Sequence, residues 1–230
     1  RSRAYVKESQ LRQGSAITSF PTRQPPQVAS YSVKKTYGRL LSKIEEAFAK
    51  ENPLFVLGIY YPLAYYKGSK EDIVPFEENR QKQVVSLIRI QFLKRFESSA
   101  HAFECSCERL LLKLLAWVMK HSETDSERSR LDRWRRLNSD LIETVHLHQR
   151  ELWGGGDPDS ADDDLVSEEM LEDIDYLPRD EYRVEDILAD TFLDLDEIIA
   201  FLRELQKFKP QNDDKLKAIV KLLNSDPVLK

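Results

Sequence analysis

The sequence predicts a mainly α protein, a multi-helix bundle with an extended N-terminal leader and one candidate short strand. Three observations predict it. Apolar residues recur at three- and four-residue spacing through most of the 230-residue chain. Only 7 glycines and 10 prolines interrupt it. Strict alternation is confined to residues 28–33, where Val28, Ser30 and Ser32 alternate with Ala29, Tyr31 and Val33. With 41% apolar and 33% charged residues the chain can bury a core, although it is more charged than an average globular domain. Collagen-like, low-complexity and disulfide-scaffold classes are excluded.

The elements come in order along the chain. Residues 1–27 carry Pro21, Pro25 and Pro26 and no helical period, so a leader spanning 1–35 is read as extended, with Tyr5, Val6, Ile17 and Phe20 as apolar anchors. A bundle is expected over 36–153. Its first helix, 36–50, has Tyr37, Leu40, Leu41, Ile44, Ala47 and Phe48 on one face and stops at Asn52-Pro53. Residues 54–66 are apolar on all sides, with Pro62 as a break, and 67–78 read as a charged loop. The helix 80–98 carries Val85, Ile88, Phe92 and Phe96, widened by Val84, Leu87, Ile90 and Leu93. The helix 101–121 carries Phe103, Leu110, Leu111, Leu114 and Val118, and Ser98-Ser99 ends one helix and caps the next. A single long helix is expected over 125–153, with Trp134, Leu137, Leu141, Val145 and Leu152 inward. Residues 154–166, rich in Gly and Asp, form an acidic linker. C-terminal helices fill 167–230: a short one near 167–174, a long one over 184–208, and a last one capped by Asp213 or Asp214.

Charge is unevenly spread. Residues 80–150 hold 14 Lys and Arg against 9 Asp and Glu, a net of +5. Residues 151–200 hold 2 against 19, a net of −17. Such asymmetry fits a charged partner. On the 125–153 helix, Arg128, Arg135 and Arg136 fall opposite the apolar stripe with Arg133 at the flank, while Lys94 stands opposite the stripe of its own helix. Positive charge at helical spacing suits a phosphate backbone and needs no base reading. Glu127 and Asp132 interrupt the patch, and a solvated helix face is the competing reading. Arg89 lies near an apolar stripe and requires an acidic partner, Glu104 or Glu108.

Catalytic and metal signals are weak. Gly154-Gly155-Gly156 lacks the Lys-Ser/Thr of a phosphate loop, and Asp194-Leu-Asp-Glu197 reads as a solvated helix face. Asp157 and Asp159, with Glu168 eleven residues after Asp157, imitate a calcium loop, but Ala161 and Asp162 stand where ligand and glycine are required. His101 and Cys105 share a helical face without a second ligand pair, so packing around Cys107 is expected there. No metal or cofactor is expected in the chain itself. The longest apolar run, 54–66, is too short to span a membrane, and the only two cysteines, Cys105 and Cys107, cannot staple a fold. A cytoplasmic location without a membrane partner is expected.

Three stretches carry a resemblance. Arg1-Ser-Arg3 with Phe20-Pro21-Thr-Arg23 resembles the segment leaving the first motor lobe of SWI/SNF-type ATPases in helicase superfamily two, although the contiguous Arg-Arg pair is missing. Gln91-Phe-Leu-Lys94-Arg95-Phe-Glu97-Ser98-Ser99, followed by Ala102-Phe103, is similar to a helix pair of bacterial and archaeal members. Asn212-Asp-Asp214-Lys215-Leu216, with the run on to Leu223, resembles the helix before the second lobe. The resemblance implies a non-catalytic helical brace between two RecA-like lobes of one polypeptide. The parent would be a DNA-dependent ATP hydrolase that binds ATP and magnesium in those lobes, with double-stranded DNA as partner. The alternative is a free-standing α-helical interaction module whose acidic segment binds a basic partner.

Overall fold

Helical periodicity is realised almost everywhere it is expected, and no strand forms among the described residues; Tyr66 and Tyr182 make one isolated antiparallel bridge. The structure is a computed structural model and describes residues 3–14, 20, 25, 28–49, 55–152, 171–172 and 174–225. The protein is mainly α, as its sequence predicts. The chain divides into two units: Ser32–Asp214, and Arg1–Tyr31 with Lys215–Lys230.

In the larger unit, α2 (Val33–Tyr37) and α3 (Arg39–Ala47) stand where one helix is expected. Gly38, at φ 50 and ψ −118, is the reason. That conformation is open to glycine and costly for other residues, so the chain turns there. Ser32 caps α2 and accepts from the Lys35 N–H at 3.2 Å. Residues 28–32 carry no strand, and among the described residues none pairs with them as a strand neighbour.

The apolar run 54–66 is expected to be buried. From Phe55 onward it folds into two 3-10 turns, Gly58–Tyr60 and Pro62–Tyr65, the second begun by Pro62. The expected charged loop shortens to the turn Lys70–Asp72, closed by a reciprocal Ser69–Asp72 cap. Pro75, at the first helical position, then opens α4 (Pro75–Ser98). The Ser99 hydroxyl ends α4 and accepts from the Ala102 N–H at 3.1 Å, which starts α5 (Ala100–His121).

The expected 125–153 helix is also two: α6 (Asp125–Leu137) and α7 (Ser139–Leu152). Buried Asn138 interrupts it. Its Nδ2 donates to the Trp134 carbonyl at 3.0 Å, and its Oδ1 accepts from Arg203 at 2.9 Å. Side-chain amides that bond local backbone compete with the helical ladder. Leu137, expected inward, is 71% exposed because the break turns it out.

The core lies between α5 and α8 (Val184–Leu205), which form the most extensive helix pair. Phe103, Leu111, Leu114 and Leu115 of α5 meet Ile187, Leu195, Ile198 and Phe201 of α8, all fully buried. Each contributes about 1.5–3 kcal/mol of transfer free energy. Phe55, Phe92, Phe96, Phe103 and Phe201 form one aromatic cluster, with Phe92–Phe103 edge-to-face at 5.9 Å. Tyr37 joins it at 4.2 Å from the Phe96 ring and donates to the Phe96 carbonyl at 2.9 Å. Val84, Leu87, Ile90 and Leu93, expected to widen the buried face of α4, remain exposed.

Residues 174–183 form a strap that leads into α8. The Leu177 N–H bonds His121 Nε2, Arg179 Nη2 bonds the His121 carbonyl, and the Lys67 and Arg183 N–H groups bond Glu181 and Tyr65 carbonyls.

In the smaller unit, Arg3–Arg12 is helical (α1) where an extended run is expected. Its mean hydropathy is low, and an Arg12–Glu8 pair at 2.6 Å supports it at one-turn spacing. The last helix is α9 (Asp214–Ser225), which leaves Leu216, Ile219, Val220, Leu222 and Leu223 exposed. The expected linker 154–166, the helix stop at Asn52-Pro53, the anchor Ile17 and the calcium-loop positions Asp157, Asp159 and Glu168 lie outside the described residues. Of the short helix expected near 167–174, only Leu171 and Glu172 are described as helical.

Candidate nucleic-acid interface

The basic face of α6 results from how its apolar side is used. Leu131 and Trp134 are buried, and the Trp134 Nε1–H donates to Asp196 on α8 at 2.7 Å. That fixes the helix's rotation and turns Arg128, Arg133 and Arg136 outward, all three exposed. Arg135 is half-buried and flanks the face, exchanging places with Arg133 relative to the expected arrangement. No carboxylate among the described residues lies within ion-pair distance of these four. Arg128 Nε donates to the Ser122 carbonyl at 3.2 Å and Arg136 Nε to the Asp132 carbonyl at 3.2 Å, so two of the guanidinium groups are anchored through backbone oxygens. Glu127 does not neutralise the face. It closes the Thr124 cap at the start of α6 and binds Arg179 Nη2 at 2.8 Å. The nearby guanidinium and the capping N–H groups outweigh burial and hold its carboxyl below the usual range. Asp125 and Asp132 remain exposed on α6.

Lys94 and Arg95 are exposed near the end of α4. They precede the start of α5, whereas Arg128 follows its end, and α5 itself is about 33 Å long, 22 residues at about 1.5 Å rise. The six candidates thus form two groups. The stretch that carries the resemblance divides in the same way. Phe96 and Phe103 are core, Ser99 is a cap, and Lys94, Arg95, Glu97 and Ser98 face outward. In the smaller unit Arg3 lies over the Phe20 ring at 5.8 Å, and Lys215 over Tyr31 at 5.6 Å. Asp214 accepts from the Ser32 N–H at 2.7 Å, and Leu216 is exposed. Arg1, Pro21 and Arg23 lie outside the described residues.

Two expectations about acidic partners are corrected. Arg89 does not pair with Glu104 or Glu108. Its Nη2 donates to the Phe55 carbonyl at 2.7 Å, and the charge it feels is that of Asp194. Asp194 is not on a solvated face. It is fully buried and accepts from the Val56 and Leu57 N–H groups, each at 2.6 Å. Burial pushes its carboxyl up to about 7, while the two N–H donors and Arg89 pull the other way. One turn earlier, Asp190 accepts from the Tyr65 hydroxyl at 2.6 Å. These carboxylates fasten the 55–66 segment to α8. The residue type alone did not separate them from surface acids; their positions facing an apolar, proline-broken run were the available signal.

Glu108 is 2% exposed and takes a 2.9 Å hydrogen bond from His148 of α7. Glu104, Glu108 and His148 place ligand atoms within 4.8 Å of one another, and Glu104 lies 3.7 Å from His101. Two histidines already neighbour these carboxylates, and the arrangement is that of a helix-to-helix polar tie. Cys107 is fully buried, as expected, and burial raises its thiol well above the ordinary range. A thiol so placed is no nucleophile. Cys105 Sγ lies 3.8 Å from His101 Nε2, at the exposed edge of α5.

Among the described residues no helix is long and apolar enough to cross a membrane. No family model matches the chain, and neither a curated protein nor a solved structure does.

Proposed function

We propose that this chain is a non-catalytic helical brace of a SWI/SNF-type DNA-dependent ATPase and that it touches duplex DNA through the outward face of α6. The reading rests on the resemblance of residues 91–103 and on one observation: Arg128, Arg133 and Arg136 are exposed with no carboxylate among the described residues in ion-pair range. Such groups keep their full charge for phosphates, which need neither a pocket nor base-edge contacts. Lys94 and Arg95 add a second contact point at the far end of α5. The brace role is supported by α5 and α8, whose shared core fixes the spacing of both ends. ATP, magnesium and hydrolysis belong to the flanking RecA-like lobes that the resemblance implies.

A fluorescence-anisotropy titration of the chain against duplex DNA tests the contact. With three to four phosphate contacts, affinity falls about 10²-fold between roughly 50 and 200 mM salt. Absence of binding at the lower salt rejects the α6 interface.

A further inference from the structure

We propose that His121 is an acid-sensitive latch holding the strap 174–179 on the C-terminal end of α5. The geometry fixes the state of the ring. His121 Nδ1 lies 2.9 Å from the Trp117 carbonyl, which only accepts, so Nδ1 carries a hydrogen. Nε2 lies 3.1 Å from the Leu177 N–H, which only donates, so Nε2 must present its lone pair. Both conditions hold only for the neutral imidazole with its hydrogen on Nδ1. The ring is 1% exposed and sandwiched, at 4.0 Å from Trp117 and 5.9 Å from Tyr176.

A proton on Nε2 turns this acceptor into a donor aimed at another donor. The Leu177 bond is lost, and a charge is left between two aromatic faces. The charged groups around the ring come from every packed element. Lys120 of α5 donates to the Leu171 and Ile174 carbonyls. Glu123, in the turn after α5, accepts from Tyr176 at 3.1 Å and pairs with Arg179 at 3.2 Å. Glu127 of α6 holds Arg179 at 2.8 Å, and Glu185 of α8 lies 3.9 Å from it. Arg179 of the strap donates to the His121 carbonyl at 2.7 Å. Burial first, then Lys120 and Arg179, lower the affinity of the ring for a proton, against the Trp117 carbonyl and Glu123. The Leu177 bond is therefore closed at neutral pH and lost on acidification below the ordinary imidazole range, which loosens the strap between its Lys120 and Arg179 tethers.

The loosened strap borders a cavity. Ile174, Asp175 and Leu177 of the strap form one wall of a cavity of about 200 Å³, and Ile59, Tyr60, Lys113 and Trp117 form others. The strap alone loosens; the α5–α8 core does not depend on the latch.

Hydrogen exchange of the full chain at pH 7.5 and pH 5.0, corrected for intrinsic rates, tests this. Protection of the Leu177 amide is expected to fall at least about tenfold at the lower pH while peptides of α8 keep theirs. His121→Phe keeps an aromatic ring but neither hydrogen bond, so its Leu177 amide is expected to be unprotected equally at both values. Equal protection of the wild-type Leu177 amide at the two pH values overturns the latch, as does a wild-type pH response in the variant. If the variant does not fold, nitrogen chemical shifts of the wild-type His121 ring decide. A neutral ring protonated on Nδ1 at pH 7.5, with Leu177 shifting as the ring titrates, supports the latch. A charged ring or the opposite tautomer rejects it.

Discussion

Asp194 is fully buried and fastens the 55–66 segment to α8. The half-buried Val56 N–H and the buried Leu57 N–H both end on its carboxylate, each at 2.6 Å. Asp194→Asn keeps one acceptor oxygen and turns an amide toward the second N–H, which costs about 1–3 kcal/mol of stability measured by urea unfolding. The pH dependence comes from its raised affinity for a proton. A carboxyl raised from 3.8 to about 7 on folding favours the folded state fully below 3.8. That contribution is lost as pH rises through about 7. Stability is therefore expected to decline between about pH 4 and pH 7, by up to about 4 kcal/mol for a shift of this size, and to level off above that. The variant should lack the decline; if both proteins decline alike, the pH dependence lies elsewhere. His121 works in the opposite direction, since its lowered proton affinity favours the folded state above 6.5 and the gain is lost as pH falls. Arg89 shows why such pairs are hard to read from sequence. Its helix position announced a buried cation, but its companion sits on a helix more than a hundred residues later, which no local spacing encodes.

Helices α4, α5 and α8 were legible because their apolar stripes recur at helical spacing over three or more turns each. The two that split, 36–50 and 125–153, failed at single residues that the period ignores: Gly38, which adopts a positive φ, and Asn138, which bonds the Trp134 carbonyl. Gly38→Ala tests the first. No atom lies near an added Cβ, so the cost is conformational alone, about 1–3 kcal/mol read as a lowered urea midpoint. An unchanged midpoint would mean that α2 and α3 tolerate another junction. The helix α1 was missed because its apolar residues, Tyr5, Val6 and Leu11, do not build a stripe. The 54–66 run was read as buried, and of its described residues only Phe55, Leu57, Gly58 and Tyr65 are; its 3-10 turns were not legible, since their geometry depends on the carboxylates of α8.

At the scale of the whole molecule, sequence charge counting located the basic part of the chain but not its orientation. The anchoring of Trp134 to Asp196 turns Arg128, Arg133 and Arg136 outward, while Arg130, also exposed, lies over the Phe192 ring at 4.2 Å. The proposed α6 contact requires that these outward arginines, and not bulk charge, meet the phosphates. The slope of log affinity against log salt measures this directly. Each neutralised phosphate contributes about 0.9 to that slope. For duplex DNA, Arg133→Ala with Arg136→Ala is expected to lower the slope by about 2. A slope identical to that of the wild type would contradict the account.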